Sequence, residues 1–73
     1  MSNVIAIIGL GYVGLPIAAR FGRKIKTIGF DISNEKINFL KSFKDPNNEI
    51  SKKELKNSKN LCFTSNEKDI SKA

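Results

Sequence analysis

Val4-Ile5-Ala6-Ile7-Ile8 is an unbroken apolar run dominated by β-branched side chains. Runs without polar alternation form strands covered on both faces, as in parallel sheets, so a first strand is expected over residues 4–8. Gly9 to Gly14 read as a turn. Leu15, Ala18 and Ala19 then recur at helical spacing, which predicts a helix from about Tyr12 to Phe21. Pro16 falls in its first turn, where a missing N–H costs little. Gly22 is the expected C-cap, with Arg23 and Lys24 beside the negative helix end. Thr27-Ile28-Gly29-Phe30 is a second strand ending at Asp31. Ser33 caps a second helix, with Ile37, Leu40 and Phe43 expected to face inward, and Asp45-Pro46-Asn47-Asn48 breaks it. Ser51 and Glu54 form a capping box, with Ile50 and Leu55 at the staple positions, and so mark a short third helix over 52–58. Leu61-Cys62-Phe63-Thr64 is a short strand, and Ser65-Asn66-Glu67 opens a further helical segment.

This alternation of strand and helix predicts an α/β unit with a parallel sheet and right-handed crossovers. Apolar residues concentrate before Phe43, with 22 in residues 1–43 and 7 in residues 44–73, so the first part builds the core and the second mainly covers it. Seventy-three residues make one small domain with a marginal core.

Composition narrows the chemistry. One cysteine and no histidine exclude a disulfide scaffold, a Cys/His zinc site and a His-based catalytic pair. The net charge is +6, from 13 basic and 7 acidic residues, yet only Arg20, Arg23, Lys24 and Lys26 cluster. With one Tyr and no Trp there is no aromatic ladder for bases, so the charge reads as a solvated surface and no nucleic-acid partner is expected. Val4 to Ala19 is too short for a membrane span, and no positive charge precedes it as in a secretory signal.

Gly9-Leu10-Gly11-Tyr12-Val13-Gly14 is G-x-G-x-x-G. The bare pattern is weak, but here it follows a strand and opens a helix. Asp31 follows Gly9 by 22 residues, at the end of the next strand, close to the separation of about 20 expected of a dinucleotide site. Gly9 permits the tight turn, Gly11 lets a pyrophosphate approach the backbone, and Gly14 lets helix and strand pack closely. The free N–H groups at the helix start suit the anion. Asp31 is placed to accept from the adenosine ribose, and Ile32 offers no arginine for a 2′-phosphate, so the expected cofactor is NAD rather than NADP. Tyr12 either lies beside the cofactor or covers the turn. Lys36 is either a solvated helix lysine or reaches the ribose. Cys62 reads as a small core residue rather than a nucleophile.

The stretch Ile5-Ala6-Ile7-Ile8-Gly9-Leu10-Gly11-Tyr12-Val13-Gly14-Leu15-Pro16 resembles the N-terminus of the UDP-sugar 6-dehydrogenases. Phe21-Gly22, Ile28-Gly29-Phe30-Asp31-Ile32, Lys36-Ile37 and Leu61-Cys62-Phe63-Thr64-Ser65 are similar to that family's following blocks. The Gly-Leu-Gly and Phe-Gly forms look most like the branch acting on UDP-N-acetylhexosamines for capsular, Vi-type or O-antigen polysaccharides. The family oxidises a sugar C6 alcohol to a carboxylate in two NAD-dependent steps. The resemblance implies a partial Rossmann fold of three parallel strands in the order 3-2-1. It implies that Gly9, Gly11, Tyr12, Val13 and Gly14 lie at the pyrophosphate and Asp31 and Lys36 at the adenosine ribose. The family's catalytic cysteine and sugar-binding domain have no match here, and Cys62 is not in that cysteine's motif.

The expectation is therefore the N-terminal half of an NAD-binding domain, residues 1–73, from a cytoplasmic nucleotide-sugar dehydrogenase. It carries no catalytic residue and no metal site, and is inactive alone. The rival is a non-catalytic binding or assembly module on the same fold. A homo-oligomer is expected, through an exposed Val4–Ile8 edge or through open helix faces around Leu15, Ala18 and Ala19.

Overall fold

The computed structural model describes residues 4–11, 13–45 and 50–72. The elements run β1 (Ile5–Ile8), α1 (Gly14–Phe21), β2 (Thr27–Phe30), α2 (Asn34–Lys41), α3 (Lys52–Asn57) and β3 (Leu61–Thr64), followed by a 3-10 segment (Glu67–Lys72). The sheet order is β1-β2-β3 with both pairings parallel, as expected. Ile7, Gly29 and Phe63 stand in line across it. Two successive right-handed crossovers in one direction put α1 and α2 on the same face. The core lies beneath them, built from Leu10, Leu15, Ala18, Ala19, Ile37, Leu40, Ile50 and Leu55, with Ile7, Leu61 and Phe63 packed against it.

Ser33 Oγ accepts from Lys36 N at 3.2 Å, and Ser51 Oγ accepts from Glu54 N at 3.1 Å, so both caps form as the spacing predicts. Ile50 and Leu55 are buried together at the staple positions. Ser58 donates to Ala19 O at 2.7 Å and ties the end of α3 to α1. The predicted turn at Pro46-Asn47-Asn48 lies outside the described residues, though Ile50 N closes back onto Asp45 Oδ2 at 2.9 Å.

Four expectations need correction. β1 is not covered on both faces: Ile5 to Ile7 are only partly buried and Ile8 is 61% exposed, because β1 is a sheet edge. Leu15, Ala18 and Ala19 are not an open helix face but the part of α1 in the core. The open face is Val13, Ile17 and Phe21, one turn apart along the other side. Phe43 does not face inward: it is exposed, and its φ of 61° ends α2. Phe43 N donates to Leu40 O and Lys44 N to Phe39 O, the paired bonds of a Schellman stop. Cys62 is not a core residue but exposed, since it shares the register of Ala6 and Ile28 on the face turned away from the helices.

Gly22 does cap α1, but with a φ of −66°. Its lack of a side chain serves packing instead, since a Cβ there would stand 2.6 Å from Leu61 Cβ.

Candidate functional site

The carboxyl ends of β1 and β2 meet at the glycine turn. Gly9 has a φ of +90°, which lets the chain leave β1 and turn back sharply. Its N–H still donates to Phe30 O at 2.8 Å, so the turn begins from a fixed point on β2. A Cβ on Gly14 would lie 2.0 Å from Gly9 O, so only glycine lets α1 start against the end of β1. A Cβ on Gly11 would meet nothing within 4 Å, and Gly11 is exposed.

α1 differs from its neighbours at its start. α2 and α3 each have a serine cap and a glutamate in the first turn, whereas α1 has neither a side-chain cap bond nor an acid there. Its N-cap is Val13, an exposed apolar residue with nothing to offer the backbone N–H groups. Leu15 N donates to Gly11 O at 3.0 Å and Pro16 has no N–H, so the cradle beside open Gly11 rests on the N–H groups of Val13 and Gly14 and on the positive end of the helix dipole. An anion fits this cradle in charge and in space.

Asp31 locks the turn to β2. Its Oδ2 accepts from Leu10 N at 2.9 Å and its Oδ1 from Ser33 N at 3.0 Å. Lys36 Nζ stands 3.8 Å from Asp31 Oδ2 and donates to Leu10 O at 3.4 Å. Burial works to raise the Asp31 pKa, but the Ser33 and Leu10 N–H groups, then the Lys36 ammonium, outweigh it and hold the carboxyl below its usual value. Beneath the turn, Leu10 is buried and presses over Gly29, where a Cβ would meet both its terminal methyls at 3.3 Å.

The structure thus gathers Gly9, Gly11, Val13 and Gly14 on one turn, with Asp31 and Lys36 fastened to that turn through Leu10. Tyr12 lies outside the described residues. Cys62 is remote from the turn in the chain, on β3, at the opposite edge of the sheet from β1. Leu10 is the site residue that sequence reasoning passed over, while Ser33 was read only as a helix cap and not as a donor to Asp31. Leu10 sits at a variable place in the glycine pattern, and only its apolar character hinted that it plugs the core. Among the described residues there is no group of three or more His, Cys, Asp or Glu able to hold a metal ion. No described helix is long and apolar enough to cross a membrane.

A parallel sheet whose first turn carries three glycines, an uncapped helix start and an acid at the end of the second strand defines a dinucleotide-binding α/β unit. Over residues 3–73 the chain matches the UDP-glucose/GDP-mannose dehydrogenase family, NAD binding domain, and it belongs to that family. It is 51% identical over 73 residues to protein CapL of Staphylococcus aureus, covering all of this chain and 17% of that protein. It is 44% identical over 68 residues to a UDP-N-acetyl-D-glucosamine 6-dehydrogenase of Pseudomonas aeruginosa, covering 93% of this chain and 16% of that enzyme. Among solved structures, a UDP-D-ManNAc dehydrogenase from Pyrococcus horikoshii superposes with a TM-score of 0.74 at 32% identity, over 93% of this chain and 18% of that one. The chain therefore spans about one sixth of the length of these relatives. The Rossmann-like fold and the NAD cofactor of the domain family are those expected from the sequence.

Proposed function

We propose that this chain is the N-terminal half of the NAD-binding domain, residues 1–73, of a cytoplasmic dehydrogenase that oxidises a UDP-N-acetylhexosamine at C6 for surface polysaccharide synthesis. The uncapped start of α1 beside open Gly11 carries the reading. Gly9, Gly11, Tyr12, Val13 and Gly14 line the pyrophosphate, Gly9 by shaping the turn because its own N–H is spent on Phe30 O, and Asp31 and Lys36 face the adenosine ribose. NAD, when bound, supplies the hydride acceptor. The chain's own residues bind and orient it. Cys62 is not in the family's catalytic cysteine motif and lies on β3, at the opposite sheet edge from β1, so this chain alone is expected to give no turnover. Its partners are NAD, a UDP-sugar in the full-length enzyme, and further copies of itself. Relatives named as UDP-N-acetyl-D-glucosamine 6-dehydrogenases support the substrate class.

The test is titration of the 73-residue chain with NAD, followed by amide chemical shifts. Wild type shows weak saturable shifts over Gly9 to Gly14. Gly11→Glu folds normally, since nothing crowds that position, and abolishes the shifts by placing a carboxylate against the phosphates. Shifts of equal size in both proteins would overturn the assignment. Incubation with NAD and UDP-N-acetylglucosamine should leave absorbance at 340 nm flat.

A further inference from the structure

Among the described residues from Gly9 to Gly14, Leu10 alone offers a buried side chain. Gly9, Gly11 and Val13 are exposed, whereas Leu10 is 1% exposed. A leucine inside a glycine turn is thus buried more deeply than the strand leading into it, since Ile5 to Ile7 are only partly covered. Gly29 builds the seat that takes it. In the register of the sheet Gly29 stands between Ile7 and Phe63, whose side chains pack against the core. Having no side chain, it leaves a notch between theirs. Both terminal methyls of Leu10 fill that notch, 3.3 Å from where a Cβ on Gly29 would lie, and Phe63 Cδ1 bounds it at 3.1 Å. Glycine inside a strand often marks a close approach of this kind.

The same residue carries the polar ties of the turn. Leu10 N donates to Asp31 Oδ2 at 2.9 Å, and Leu10 O accepts from Lys36 Nζ at 3.4 Å. The ends of the turn are held elsewhere, by Gly9 N on Phe30 O and by Leu15 N on Gly11 O. Its middle is held by Leu10. Gly9 and Gly11 bring no side chain to this task, and their backbones are the most easily reoriented of any residue. If the methyls left the notch, the middle of the turn would swing between those two glycines. The Leu10 N–H and C=O would move with it, away from Asp31 and Lys36.

We propose that Leu10 is a positioning residue for the dinucleotide: its side chain, seated on Gly29, fixes the glycine turn against Asp31 and Lys36 without itself touching the cofactor. Being buried, it offers NAD no surface. Its effect runs through the fraction of molecules whose turn is ordered, because the apparent dissociation constant rises as that fraction falls. This role rests on the cofactor reading above, but it is exercised before any ligand arrives, so the ordering of the turn and the binding of NAD can fail separately.

The test compares matched leucine truncations in the 73-residue chain. Leu40 is equally buried in the same core, but at the far end of α2 from Ser33. Leu10→Val and Leu40→Val each shorten one core leucine and should keep their circular dichroism. Amide heteronuclear NOE values, read without ligand, should fall at Gly9, Gly11 and Gly14 in Leu10→Val and stay at wild-type values in Leu40→Val. Gly29→Ala, which fills the seat from the other side, should lower them in the same way. Leu10→Met, unbranched yet long enough to reach the notch, should restore them. In NAD titrations the dissociation constant should rise by about fivefold in Leu10→Val and Gly29→Ala, and stay within about twofold of wild type in Leu40→Val. Turn amides as ordered in Leu10→Val as in wild type would overturn the proposal. So would an equal loss of NAD affinity in Leu40→Val. A wild type that shows this amide pattern but binds no NAD would overturn the cofactor reading and still support the ordering of the turn by Leu10.

Discussion

Replacing Asp31 by Ala removes the acceptor for two backbone N–H groups, Leu10 at 2.9 Å and Ser33 at 3.0 Å. Hydrogen bonds to charged groups contribute about 1.5–3 kcal/mol each. The Asp31 side chain retains 14% exposure, and water can reach part of what is left behind, so we take the low end for both. The Lys36 contact at 3.8 Å adds little, being partly open to solvent. The expected loss is about 3 kcal/mol. A chain of 73 residues has a total of roughly 4–11 kcal/mol at the usual stability per residue, so Asp31→Ala puts the fold itself at risk. Asp31→Asn keeps one acceptor oxygen and should lose about half as much. Urea unfolding followed by circular dichroism at pH 7 should therefore rank wild type above Asn above Ala. Acid adds a second check. The Asp31 pKa is depressed in the fold, so its contribution is complete above the unfolded value near 3.8 and is lost as pH falls through the folded value. The gap between wild type and Ala should hold from neutrality to about pH 5 and shrink below pH 4. A gap under about 0.5 kcal/mol at pH 7, the range of ordinary surface changes, would refute the lock and leave Asp31 as a residue for the ligand alone.

Gly14→Ala places a Cβ 2.0 Å from Gly9 O and must push α1 off β1; the helix-propensity gain of about 1 kcal/mol offsets only part of this, and a net loss of about 2 kcal/mol is expected from the urea midpoint. An unchanged or higher midpoint would contradict the close packing. Phe43→Gly relieves a left-handed residue at a cost of about 1 kcal/mol and gives up an exposed contact with Lys56, whose Nζ lies 5.8 Å from the ring centre. The melting temperature should rise by roughly 3 °C, and a fall would show that the ring holds α2 to α3.

The elements were legible because each carries a local signal. The run from Val4 to Ile8, the serine caps and the Ile50–Leu55 pair all act within a few residues of themselves. Burial was harder to read. Phe43 fits the helical period of Ile37 and Leu40, but the helix ends before it and a hydrogen-bonded stop turns it outward. Ile17 and Phe21 are as apolar as Leu15, and only the placement of α1 over β1 and β2 decides which side meets the core. Cys62 lies in an apolar strand, yet strand alternation set it on the face without helices. Within the site, the glycines and Asp31 were visible through their spacing. The bond from Leu10 N to Asp31 was not, since a backbone group leaves no mark in the sequence.

That bond joins residues 21 apart and draws the glycine turn taut before any ligand arrives. A turn left slack would have to be ordered at the moment of binding, and the lost freedom would be subtracted from the affinity. Here the ordering belongs to folding, together with the closure of the β1–β2 crossover. Binding and folding are thereby coupled in both directions. A ligand that engages the ordered turn selectively stabilises the whole sheet in proportion to its occupancy. Conversely, anything that loosens the pairing of β1 with β2 lowers the fraction of chains able to bind, and weakens apparent affinity without touching a single contact.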